Sequence, residues 1–116
     1  MRHLNKGRKF GRITGRRKSF VQGLMHNLIS EGRITTTDSR AKELKPRVEK
    51  LVTIGKKGDI ASLRILLSRL PKSSAMKLYH EIAPKYKNRS GGYVRVIKTS
   101  KSRMRDAAQQ SIIEFV

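Results

Sequence analysis

The first eighteen residues, MRHLNKGRKFGRITGRRK, hold eight Lys or Arg side chains and no Asp or Glu. Like charges at that density repel, and the few apolar side chains among them cannot bury enough surface to offset the entropy of ordering a backbone that includes Gly7, Gly11 and Gly15. The segment is expected to stay disordered until a polyanion holds it. Any folded body must then be built from residues 19–116.

That body is basic too. Lys and Arg total 28 against 8 Asp and Glu, a formal charge of +20 on 116 residues. Such an excess opposes compaction and favours association with nucleic acid or an anionic membrane surface. A chain of this length has room for one domain with a modest core. Aromatic residues make up only 5%, with no Trp, so the core must rest on Leu, Ile and Val and binding cannot rest on a broad aromatic platform. The absence of Cys excludes disulfides, thiolate nucleophiles and Cys-ligated zinc. No stretch approaches the roughly 20 apolar residues of a membrane span, and no apolar secretory segment follows the basic N-terminus. The expectation is a soluble, cytoplasmic protein without a membrane partner. An organellar presequence would also be Arg-rich, but the three glycines disfavour the amphipathic helix it needs.

From Ser19 the pattern turns helical. Phe20, Val21, Leu24, Met25, Leu28 and Ile29 form one apolar stripe, with Ser19 placed to cap it and Gly32 to stop it. The β-branched run Ile34-Thr35-Thr36-Thr37 predicts a short strand. Thr37 or Asp38 can cap a second helix carrying Ala41, Leu44, Val48, Leu51 and Val52, in which Pro46 predicts a kink or a restart. Gly58 and Asp59 read as a helix stop and a new cap, followed by a third stripe of Ile60, Leu63, Leu67 and Leu70 closed by Pro71. Ser73 or Ser74 can cap a fourth helix with Met76, Tyr79, Ile82 and Ala83 on one side, ended by Pro84. Two strands, 93–99 and 110–116, joined by a basic turn, complete the pattern. The sum is an α+β class: a two-layer domain (19–116) with about four helices packed on a small mixed sheet, plus a basic N-terminal extension (1–18).

Catalysis finds little support. His3, His26 and His80 and the eight carboxylates are scattered; His80-Glu81 lacks the second histidine of a zinc-protease pair, and no other group has metal-ligand spacing. Gly55-Lys56-Lys57-Gly58 lacks the spacer and hydroxyl residue of a phosphate loop, and a helix stop explains it. Nucleic-acid binding remains. Cations along a flexible arm can follow a phosphate backbone, and with about 6–10 contacts affinity should fall about 10³–10⁵-fold between 50 and 200 mM salt. Residues 85–106 form a second patch with eight bases and one acid. Tyr86 and Tyr93 flank its glycines and could stack on unpaired bases, with Arg89 and Arg95 meeting phosphates. Tyr93 could equally pack inward as a strand residue. By charge alone a free DNA-compacting or RNA-chaperone protein is an alternative.

Several stretches in register look familiar. They are the opening Met-Arg-His, Gly7-Arg8-Lys9-Phe10-Gly11-Arg12, Arg17-Lys18 before the apolar helix, Arg33 to Thr37 leading to Ala41-Lys42-Glu43-Leu44, Ile82 to Tyr86, Arg89 to Tyr93, and Ile112-Ile113-Glu114. Together they resemble the bacterial large-subunit ribosomal protein family numbered seventeen over nearly the whole chain, departing from it at Thr14-Gly15-Arg16. The resemblance implies a structural constituent of the large ribosomal subunit, bound to its RNA near the rim of the polypeptide exit tunnel and beside neighbouring large-subunit proteins. It implies no catalysis, cofactor, metal or small-molecule substrate. Carried over by position, the RNA-contacting set is Arg2, His3, Lys6, Arg8, Lys9, Arg12, Arg16, Arg17 and Lys18 in the arm, with Arg89, Tyr93 and Arg95 in the second patch.

Overall fold

The computed structural model describes Met1 and residues 3–116, so Arg2 lies outside the described residues. The elements are α1 (Thr14–Glu31), β1 (Arg33–Thr37), α2 (Asp38–Gly55), α3 (Ile60–Arg69), α4 (Lys72–Lys77), β2 (Val94–Ser102) and β3 (Gln109–Phe115). A π-helical turn (Leu78–Ile82) and a 3-10 turn (Ala83–Tyr86) continue α4. Strand order is β1-β3-β2 and every pairing is antiparallel, where a mixed sheet was expected. The hairpin makes β2 and β3 antiparallel, and β1 adds to the free edge of β3 running the opposite way.

Side chains alternate across a strand, so the registers Ile34↔Ile113 and Val96↔Ile113 put these residues on one face, which the helices cover. Helix α2 lies across the sheet and touches all three strands, while α1 and α3 flank it. Leu28 and Ile29 of α1, Val48 and Val52 of α2, Leu66 of α3 and Leu78 after α4 are all fully buried with Ile113. Each such side chain contributes about 1.5–3 kcal/mol relative to remaining exposed.

Local chemistry sets most of the boundaries. Gly32 ends α1 in the left-handed region at φ +77°, its N–H donating to the Leu28 carbonyl at 2.7 Å. Gly58, at φ +70°, closes the turn after α2, and the Asp59 carboxylate accepts the Ser62 N–H at 2.8 Å to cap α3.

Four expectations are corrected. Helix α1 begins at Thr14 with Ile13 at its cap, not at Ser19, because Arg16, Arg17 and Lys18 are good helix formers and a single Gly15 in the first turn is tolerated. Of the kink or restart expected at Pro46 the restart does not occur, and α2 runs on through it; Lys42 and Pro46 are both exposed, so water can hydrate the carbonyl whose bond is missing. In α3 the buried positions are Ser62 and Leu66, and the expected Leu70 is buried just past its end, whereas Ile60 is 68% and Leu67 39% exposed. After Pro71 the expected Ile82 and Ala83 are buried, but Ala75 and Leu78 are buried with them while Met76 and Tyr79 are only half-buried, and Pro84 lies in the first turn of the 3-10 segment instead of ending the helical run. A proline in a first turn forfeits no internal bond.

Candidate nucleic-acid interface

Residues preceding α1 fold back on it through one ring. Phe10 meets Phe20 edge-on at 5.5 Å between centroids, and the guanidinium groups of Arg12 and Arg40 lie 3.9 and 4.9 Å from the Phe20 ring centre. Arg12 also donates to the Phe10 carbonyl at 2.8 Å, and Arg17 to the Arg12 carbonyl at 3.1 Å. These contacts, with the helical Thr14–Lys18 stretch, order part of a segment expected to be disordered. His3, Lys6, Arg8, Lys9, Arg16 and Lys18 are exposed, and Arg12 and Arg17 half-buried. Among the described residues, no cation before residue 19 is in an ion pair.

Four acids elsewhere in the chain are in ion pairs among the described residues. Glu114, on the outer sheet face, stands between Arg33 (3.3 Å) and Arg95 (2.6 Å), the two residues in register with it on the flanking strands. Asp38 pairs with Lys42 at 2.8 Å and accepts the Ser111 hydroxyl at 2.9 Å, and these bonds hold its carboxyl below the ordinary value, Lys42 most strongly. Arg103 and Asp106 pair within the hairpin turn and lower the Asp106 pKa. Beyond that pair the hairpin tip presents Lys101, Met104 and Arg105, all exposed.

Tyr93 is corrected as a stacking residue. It is 2% exposed, and its ring lies 5.3 Å from that of Tyr86, itself 7% exposed. Burial raises the Tyr86 pKa, and its hydroxyl donates to the Val116 carbonyl at 2.7 Å. Both rings belong to the core and present no free face to a base. Their hydroxyls instead brace the 87–92 loop and the C-terminus: Lys56 donates to the Tyr93 oxygen at 2.7 Å, and Tyr93 donates to the Arg89 carbonyl at 3.1 Å. Arg89 remains exposed, its Nε donating to the Gly91 carbonyl at 3.0 Å.

A cationic cleft of about 910 Å³ was not anticipated. Lys6 and Gly7 form one wall, Lys18 and Gln22 of α1 a second, Glu43, Arg47 and Lys50 of α2 a third, and Ser68 and Arg69 of α3 the fourth. Val21, Met25, Pro46 and Leu51 line it between those walls. Lys6 and Lys18 were expected to bind, whereas Arg47, Lys50 and Arg69 were missed. Their only sequence signal was position beside the apolar stripes, which every solvated helix face shares.

No helix among the described residues is long and apolar enough to cross a membrane, and no group of three or more His, Cys, Asp or Glu is placed to hold a metal ion. The three histidines stand apart: His3 and His80 are exposed, and His26 is half-buried at the edge of the core.

The family model for ribosomal protein L17 matches residues 20–116. The large ribosomal subunit protein bL17 of Thermodesulfovibrio yellowstonii is 50% identical over 117 residues, spanning 100% of this chain and 87% of the relative. That of Pelobacter propionicus is 47% identical, covering 100% of this chain and 91% of its own length. That of Nautilia profundicola is 46% identical over 121 residues, 100% of this chain and 98% of the relative.

Proposed function

The chain belongs to the ribosomal protein L17 family, structural and non-enzymatic components of the large ribosomal subunit, and on that premise we propose that it binds and stabilises large-subunit RNA in the cytoplasm, near the rim of the polypeptide exit tunnel and against neighbouring large-subunit proteins. The observation that carries the RNA-binding reading is uncompensated positive charge. Among the described residues only five cations, all in the folded body, pair with an acid, and the arm cations have no acidic partner and are free to neutralise phosphate.

His3, Lys6, Arg8, Lys9, Arg12, Arg16, Arg17 and Lys18 supply the first contact in this reading, joined by Arg2. Arg89 supplies the second, with Arg95 sharing Glu114 and Tyr93 left to the core. Tethering makes the second contact intramolecular once the first has formed, so the two act jointly.

Deletion of residues 2–13 tests the reading, since Thr14 already begins α1. The truncated protein should keep its far-UV circular dichroism. It should lose up to five phosphate contacts and flatten the slope of log affinity against log salt by about 4 at most. An unchanged slope for large-subunit RNA refutes the arm's role. Sedimentation separates the ribosomal role from that of a free nucleic-acid compactor, which would not travel with large subunits at moderate salt.

A further inference from the structure

The cleft between the arm and α1, α2 and α3 combines two surfaces that a simple phosphate track does not need together. Its rim carries five cations, Lys6, Lys18, Arg47, Lys50 and Arg69, against one carboxylate, Glu43, a net charge of four. Between those cations Met25 and Pro46 offer apolar surface, backed by the buried Val21 and Leu51, and serve as its floor. A duplex backbone is met by exposed cations alone and offers no base face to such a floor. We propose that the cleft seats one unpaired nucleotide of the bound RNA, with its base on the floor and its flanking phosphates on the rim. This assignment rests on the RNA-binding reading and adds to it a class of target: a bulged or looped base, not a continuous helix.

Size and polar chemistry fit that occupant. About 910 Å³ falls within the range of about 300–1,000 Å³ typical of sites for small organic groups. Gln22 donates its amide N–H to the Arg69 carbonyl at 3.1 Å, tying α1 to α3 and leaving the amide oxygen to accept from a base edge. The Ser68 hydroxyl donates to the Ile65 carbonyl at 2.6 Å, so its oxygen can accept as well. Arg47 is already aligned by Glu43, at 2.9 Å, with donors to spare for phosphate. The arm forms a wall of the same cleft: Gly7, at φ +89°, passes close enough to Glu43 that an added Cβ would sit 3.8 Å from the carboxylate. One RNA strand could therefore engage the arm and the cleft without a break. That continuity favours RNA over an acidic protein segment as the occupant.

The test uses the full chain and two RNA hairpins that differ only by one bulged adenosine, with affinities from fluorescence anisotropy at fixed salt. The bulged hairpin should bind about fivefold more tightly, the scale of removing one base face from water against aliphatic side chains. In the double variant Lys50→Gln, Arg69→Gln, whose altered side chains are exposed and make no ion pair among the described residues, that ratio should fall to near one. Retained circular dichroism and Tm show that the variant folds. Equal affinities in the native protein overturn the proposal, as does a preference that survives in the variant. Equal affinities together with tight binding of an acidic amphipathic peptide, lost in the variant, assign the cleft to a protein partner and overturn it likewise. Failure to bind either hairpin instead refutes the RNA-binding reading itself.

Discussion

The Lys56 ammonium lies 4.9 Å from the Tyr93 ring centre as well as bonding its hydroxyl, so one cation is held by both parts of a single buried side chain. Removing the hydroxyl leaves the ring's packing in place and the direct Lys56–Arg89 carbonyl bond intact, but takes from both the partner they share. Tyr93→Phe should therefore destabilise the fold by about 0.5–1.5 kcal/mol, the range for one intramolecular hydrogen bond, since Lys56 and the Arg89 carbonyl keep each other. The expected result is a Tm several degrees lower. A tyrosine exposed for stacking would show no such loss, since Phe would change nothing the fold depends on. Sequence alone left Tyr93 open because strand alternation and a basic loop meet there. Only the positions of Lys56 and Tyr86, which reach it from α2 and the 3-10 turn, settle which demand prevails.

At the scale of elements, punctuation was legible and facing was not. Gly32, Gly58 and Asp59 act through their own backbone or the next turn, so their roles can be read from neighbours in the chain. The inward face of α3 depends on α2 and α4, and Ile60, Leu63, Leu66 and Leu67 are apolar enough to fit either stripe. The cleft was illegible for a related reason, since four separate segments build it. The Asp59 cap nevertheless has a consequence that can be measured. Hydrogen bonds from Ser62 hold its carboxyl below the ordinary aspartate value. A carboxylate whose folded pKa is depressed stabilises the fold fully above the unfolded value and loses that contribution as pH falls through the folded one. Asp59→Asn keeps a capping oxygen without a titrating charge, so its stability should fall less steeply than the native protein's below about pH 4. Denaturant unfolding across the acidic range up to about pH 6 checks this, and parallel profiles would contradict it.

For the molecule as a whole, folding and binding respond to the same charge in opposite senses. A net +20 is gathered within a radius of gyration of 15.0 Å, whereas an unfolded chain of this length would spread over about 35 Å. Compaction therefore raises self-repulsion, and anything that screens it favours the native state. The Debye length falls from about 10 Å at 0.1 M salt to about 3 Å at 1 M. Raising NaCl across that interval should increase the Tm of the free protein, because like charges outnumber ion pairs and five cations already share the few acids. The same change should weaken RNA binding by orders of magnitude, since the counterions released on binding return to a more concentrated solution. RNA at low salt should in turn raise Tm through linkage, and added salt should erase that gain. Thermal melts of the free and RNA-bound protein across a salt series measure both slopes at once. A free protein that loses stability as salt rises would mean that its ion pairs outweigh its repulsion, and uncompensated charge would then not be what sets its response to salt.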